Sequence, residues 1–317
     1  MSELNRDAVL RARETIGDRL HRTPTFSSAA LSQQTGARVH LKAELFQRTG
    51  SFKPRGMLAK LASLSEEEKR RGVVTWSAGN AAQGLAWSAA AEDIPCQVFM
   101  WRTANPLKVA ATRDYGAEVD LESESAAAAH ERLLEHVERT GAVFVHPFDD
   151  PVLQSGHGTL GLEIEEDVPG ATTIVVPVGG GGLIAGVASA FNGGRRVVGV
   201  EPEGAASLTA ALDAARPVPI QPQSIADGLA APFTGEGTLA VAKERVDEVV
   251  LVSEDEIAAA FRFLYSRAKL ACEPAGAAAT AALLAGKIAL EPEERVVAVV
   301  SGGNAAPETA FAILAGR

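Results

Sequence analysis

Two short stretches of this chain hold groups that could do chemistry together. The first is Thr49-Gly50-Ser51-Phe52-Lys53-Pro54-Arg55-Gly56. It offers an amine, Lys53, at a turn where Pro54 suits the first position of a helix. The second is Gly179-Gly180-Gly181-Gly182, between an apolar run at 173–178 and a helix-like run at 183–191. A desolvated lysine with a lowered pKa can form a Schiff base with a carbonyl. A glycine turn at a helix N-terminus points several backbone N–H groups at one place, which suits a phosphate. Each stretch also has a plainer reading. Lys53 could be a solvated surface lysine. Gly180-x-Gly182-x-x-Ala185 fits a dinucleotide loop, with Glu201 ending the next strand about twenty residues on. A cofactor that is both an aldehyde and a phosphate would use the two stretches at once, and pyridoxal phosphate is such a cofactor.

Two further stretches lie where an α/β protein places ligands. Ser77-Ala78-Gly79-Asn80-Ala81-Ala82-Gln83-Gly84 joins a strand-like run to a helix-like one. Small residues, a hydroxyl and two amides there give a loop of donors fit for a carboxylate. An ordinary helix cap by Ser77 or Asn80 is the simpler alternative. Ser301-Gly302-Gly303-Asn304 follows the last clear strand, at the carboxyl end where α/β ligands bind. A plain glycine turn would look the same.

The elements that must position these groups alternate. Residues 5–20 have helical spacing, with Val9, Ile16 and Leu20 near one face, and His21-Arg22-Thr23-Pro24 breaks it. Strand-like runs follow at 39–43, 73–76, 97–100, 118–121, 142–145, 174–178, 197–200, 249–252 and 296–300. Helix-like runs stand at 57–64, 84–91, 107–115, 126–139 and 183–191. Short β-branched strands separated by helices predict an α/β fold with two open, twisted, mainly parallel sheets and flanking helices. The Pro-rich stretch 216–222 reads as a surface loop. The strands between 73 and 145 form a compact block of their own.

Composition narrows the classes. The chain has 317 residues, 46 % hydrophobic and 22 % charged, enough for a large core and two domains. A formal net charge of −10 argues against a nucleic-acid partner. Two cysteines, Cys96 and Cys272, exclude a disulfide scaffold and a cysteine-rich metal site. Met1-Ser2-Glu3-Leu4-Asn5-Arg6 lacks the apolar centre of a signal peptide, and no run reaches the ~18 apolar residues of a membrane span. The expectation is a cytoplasmic protein with no membrane partner.

In their order along the chain, the four motifs resemble the fold-type II pyridoxal-phosphate enzymes, in the threonine/serine dehydratase and serine racemase group. Glu44-Leu45-Phe46-Gln47-Arg48, Gly156-His157-Gly158-Thr159, Ile225-Ala226-Asp227-Gly228 and Glu273-Pro274-Ala275-Gly276 add to the resemblance, which covers almost the whole chain. It implies a tryptophan synthase β-like fold. Residues 1–70 and 148–317 would form a large cofactor-binding domain, and 71–147 a small one. It implies that Lys53 carries the cofactor and acts as the catalytic base, and that Phe52 packs on the ring. Asn80 would contact the phenolic oxygen, and Gly179, Gly180, Gly181 and Gly182 the phosphate. Ser301 would bond the pyridine nitrogen without protonating it, a weaker electron sink that favours prompt loss of a β-substituent. Ser77, Ala78, Gly79, Asn80 and Ala81 would grip the substrate carboxylate. The implied reaction converts a β-hydroxy L-amino acid, L-threonine or L-serine first, to a 2-keto acid and ammonia. A homodimer is implied too.

Three positions depart from the family pattern. Racemases carry a second serine where this chain has Ala78, which has no proton to give; elimination is therefore expected over racemization. The histidine usual after the asparagine is Ala81 here, which leaves room for a bulkier β-hydroxy substrate of the phenylserine or hydroxyaspartate type. Serine racemase stays as the alternative from another reaction class. Glu201 matches a first metal ligand and Ala205 a carbonyl ligand, but Ser207 stands where a second carboxylate belongs. One carboxylate holds a hard divalent cation weakly, so no metal is expected. The chain ends at Arg317, soon after the fourth motif, so a C-terminal regulatory domain is not expected.

Overall fold

The computed structural model describes residues 4–316. Met1, Ser2 and Glu3, part of the stretch read for a signal peptide, and Arg317, the expected end of the chain, lie outside the described residues. The described chain forms two sheets. The larger has six strands in the order Thr25–Ser27, Arg38–Ala43, Arg295–Val300, Thr173–Pro177, Arg196–Pro202 and Glu248–Val252. The smaller has four, in the order Glu118–Ser123, Cys96–Trp101, Val73–Trp76 and Val143–Phe144. All pairings are parallel except Thr25–Ser27 on Arg38–Ala43. The sequence reading of two mainly parallel sheets in an α/β fold is the one observed.

The strands Thr173–Pro177, Arg196–Pro202 and Arg295–Val300 are mostly apolar runs because both faces of the larger sheet are covered there. Side chains alternate across a strand. Val175, Val198, Val296 and Ala298 therefore enter one buried cluster, and Ile174, Val176, Val197 and Val297 enter another on the opposite face. The smaller sheet repeats the arrangement, with Val73 and Val98 on one face and Val74 and Phe99 on the other. Cys96 is buried in the smaller sheet and Cys272 in the core beside the larger one. Among the described residues, no helix is long and apolar enough to cross a membrane.

The first helix is shorter than its spacing predicts. It runs Arg6–Ile16 and stops at Gly17, whose φ of 59° ends the turn, so Leu20 lies beyond it. The helix Pro151–Asp167 has no counterpart among the sequence-based elements; it contains Gly156, Gly158 and Gly161, residues of low helix propensity. Here glycine serves close packing. A Cβ on Gly156 would lie 2.3 Å from the Arg55 carbonyl oxygen, and one on Gly158 would lie 2.6 Å from that of Gly186. Backbone thus meets backbone where this helix crosses Lys53–Ala62 and Gly182–Ser189. The helix that begins at Lys53 and the helix that begins at the glycine loop are held against one common partner.

Candidate active site

Lys53 opens the helix Lys53–Ala62, with Phe52 at its N-cap and Pro54 in its first turn. Its Nζ donates to the Pro147 carbonyl at 2.9 Å and lies 5.1 Å from the centre of the Phe52 ring. Burial lowers its pKa to about 8, against the opposing charge of Glu273. At neutral pH a useful fraction is then the free amine, the form that attacks a carbonyl. Gly84 makes this placement possible, since a Cβ there would sit 2.8 Å from Lys53 Cβ.

The glycine loop joins the strand Thr173–Pro177 to the helix Gly182–Ser189 and faces the same cavity, about 370 Å³ in volume. Gly181 has φ +85°, a left-handed conformation that glycine accepts readily. A Cβ on Gly180 would lie 2.4 Å from Phe148 Cγ, and one on Gly181 would lie 2.2 Å from Thr238 Cγ2. The loop is therefore bare backbone at a helix N-terminus, where N–H groups and the helix dipole favour an anion. The dinucleotide alternative needs Glu201 for a ribose. Glu201 is fully buried and accepts from the N–H groups of Leu208 at 2.7 Å and Thr209 at 2.9 Å, and from the Thr209 hydroxyl at 2.7 Å. Both of its oxygens are thus taken up by the first turn of the helix Ser207–Ala214. Among the described residues no group of three His, Cys, Asp or Glu side chains gathers as a metal set.

The 301–304 turn is stitched to the Lys53 segment. Phe52 N–H donates to the Ser301 carbonyl at 3.1 Å, Gly303 N–H donates to the Gly50 carbonyl at 2.9 Å, and Ser51 pairs with Gly302. This places Ser301 in the wall that carries Lys53. Ser77, Ala78, Gly79, Asn80 and Ala81 line the same cavity, at the start of the helix Asn80–Ala91. Ser77 Oγ accepts from Gly79 N–H at 3.2 Å. Asn80 Nδ2 donates to Glu273 Oε1 at 2.6 Å. Burial pushes the Glu273 carboxyl up to about 7, with Lys108 pulling the other way. Phe52 meets His157 edge to face, with ring centres 4.8 Å apart. His157 is fully buried, and burial followed by the charges of Lys53 and Arg55 holds it well below the usual histidine range, so it stays neutral.

The cavity also contains groups to which the sequence reading gave no role. Pro147 holds Lys53, and Phe148 packs against the glycine loop. Lys108 and Asp227 form an ion pair across the cavity, from the helix Pro106–Asp114 to the turn Asp227–Leu229. Asp227 was visible as part of Ile225-Ala226-Asp227-Gly228. Lys108 had no signal beyond a lysine in a helix.

An amine of lowered pKa, a bare-backbone anion cradle and a donor loop on one cavity fit an aldehyde phosphate, and the side chains that any non-glycine residue would add to the cradle have no space. This is the site of a pyridoxal-phosphate enzyme. A family model described as "Pyridoxal-phosphate dependent enzyme" matches residues 16–302, and the chain belongs to that family. An L-threonine ammonia-lyase of Thermotoga maritima is 45% identical over 300 residues, which is 93% of this chain and 74% of that protein. The L-threonine dehydratase catabolic TdcB of Escherichia coli (strain K12) is 41% identical over 303 residues, 94% of this chain and 92% of that one. The solved structure of maize serine racemase superposes with a TM-score of 0.92 at 34% identity, covering 98% of this chain and 97% of its own.

Proposed function

We propose that the chain is a pyridoxal-phosphate-dependent ammonia-lyase that converts a β-hydroxy L-amino acid, L-threonine or L-serine first, to a 2-keto acid and ammonia. One observation carries the choice of reaction. Lys53 supplies an amine to the cavity, and Ala78, which lines the same cavity, has no proton to give where the racemases carry a second serine. The relatives named as threonine ammonia-lyase and dehydratase support the same reading.

The bound cofactor supplies an electron sink for the bond to the Cα hydrogen. Lys53 Nζ, as the free amine, takes the Cα proton as general base. The leading N–H groups of the helix Asn80–Ala91, with Ser77, hold the substrate carboxylate. The β-hydroxyl departs as water as Lys53 gives back the proton it took, and the released enamine takes up water to give the keto acid and ammonia. Glycines 179, 180, 181 and 182 would hold the phosphate, Ser301 would bond the pyridine nitrogen, and Phe52 would pack on the ring. Residues 71–147 act as a small domain that closes over substrate, with the Lys108–Asp227 pair spanning the gap. The working form is a cytoplasmic homodimer; Phe26 and Phe46, an exposed edge-to-face pair, provide apolar surface for a second copy.

A second reading concerns substrate size. Ala81 and Ala78 are small side chains, and Trp76 and Trp101 line the same cavity, which suits an aromatic β-substituent. Comparison of kcat/KM for L-threonine and threo-phenylserine decides it, and a strong threonine preference removes the larger substrate.

The primary test follows the visible absorbance of the holoenzyme while L-threonine is added. A band that shifts as 2-oxobutanoate accumulates is expected. In Lys53→Ala the band is lost and turnover falls by at least about 10³-fold. Full turnover in that variant would remove the reading.

A further inference from the structure

The geometry points to Asn304 and Glu273 as positioning residues that fix which way the Asn80 amide faces. The inference rests on Asn80 being the cofactor contact proposed above. It accounts for the last residue of Ser301-Gly302-Gly303-Asn304, which has had no role so far.

The argument starts from an atom that cannot be reversed. Asn304 Nδ2 lies 2.7 Å from the Thr49 carbonyl oxygen, and a carbonyl only accepts. The nitrogen of Asn304 must therefore face Thr49. The same nitrogen lies 2.9 Å from Asn80 Oδ1, so both of its hydrogens are used. Asn80 then has its oxygen toward Asn304 and its nitrogen toward Glu273 Oε1, at 2.6 Å. A flipped Asn80 would set nitrogen against nitrogen on one side and oxygen against a carboxylate oxygen on the other. One hydrogen of Asn80 Nδ2 remains after the bond to Glu273. Asn80 lines the cavity, and this hydrogen is the one available to the phenolic oxygen of the cofactor.

The surrounding backbone makes room for this clamp. Gly50 has φ +70°, and a Cβ on it would lie 2.5 Å from Asn304 Oδ1. A Cβ on Gly302 would lie 2.4 Å from Glu273 Oε1. Glu273 N–H donates to the Gly302 carbonyl at 3.0 Å, which fixes the start of its side chain. Glu273 is 2% exposed, and its second oxygen, Oε2, has no partner.

The test is spectroscopic and uses the reconstituted holoenzyme. A donor to the phenolic oxygen favours its ionised form, so the ratio of long- to short-wavelength Schiff-base bands, titrated with pH, reports the Asn80 contact. Asn80→Ala sets the size of complete loss. Asn304→Ala is expected to move the band titration in the same direction by about one pH unit, the worth of one hydrogen bond. Asn304→Asp, of equal size, would face Thr49 with oxygen only and should give the same shift even if Asn304→Ala folds poorly. Glu273→Gln keeps an acceptor for Asn80 while removing the charge that also acts on Lys53, so its band titration is expected to lie closer to wild type than that of Glu273→Leu, which removes both. Titrations of both Asn304 variants matching wild type, while Asn80→Ala is shifted, would overturn the inference and leave the site reading intact. A wild-type protein with no band would remove both.

Discussion

The two walls of the cavity are held by different means. On the side of the larger sheet, backbone is tied to backbone. Phe52 and Gly303 bond across to Ser301 and Gly50, and the helix Pro151–Asp167 brings Gly156 and Gly158 close to the backbone of its neighbours. On the side of the smaller sheet, several of the links into the site run through side chains. Asn80 reaches Glu273 and Asn304, and Lys108 reaches Asp227. A Cβ on Gly79 would meet nothing within 4 Å, so that loop has space around it. Backbone contacts have little rotamer freedom to lose, whereas long side chains can release and re-form a link. The first wall is suited to fixing a cofactor, and the second to admitting a substrate and closing on it.

The sharpest way to break that contrast is a substitution in the fixed wall. Gly181→Ala places a Cβ 2.2 Å from Thr238 Cγ2 at φ +85°. The left-handed conformation alone costs roughly 1–2 kcal/mol, so cofactor affinity should fall by about tenfold or more. Fluorescence titration of the apo-protein with cofactor measures this, and an unchanged Kd would mean that the loop has slack. A smaller effect concerns Lys53. Its pKa of about 8 means that the amine is mostly protonated below pH 8 and mostly free above it. The rate of cofactor uptake by apo-protein should rise with pH and level off above about 9. A rate still climbing beyond pH 10 would show an ordinary, solvated lysine. The smallest change is expected from the adaptable wall. Ala78→Ser adds a hydroxyl to the cavity that holds Lys53 and should yield slow racemization of serine beside continued elimination. Chiral chromatography of the unreacted serine detects it; complete absence of D-serine would mean that position 78 does not face the Cα carbon.

Much of this architecture could be read from the chain because its local rules are unambiguous. Strands buried on both faces are continuous β-branched runs, and Pro54 marks the helix entrance that places Lys53. The misses have physical causes. Thr25–Ser27 is a three-residue edge strand, too short for a periodic signal. Pro151–Asp167 is helical despite its glycines because tertiary contact outweighs their poor helix propensity. The Asn80 clamp was out of reach for another reason. Its partners lie 193 and 224 residues away, and no spacing rule joins residues across two sheets.

The two cysteines give the molecule a pair of internal clocks. Burial raises both thiols to about 12, so neither is reactive thiolate while its surroundings stay closed. An alkylating reagent can modify them only as fast as the chain around each one opens. Cys96 sits in a strand of the smaller sheet, and Cys272 directly precedes Glu273 in the core of the larger one. Their separate labelling rates, followed by mass spectrometry, time the opening of each half of the protein without any introduced probe.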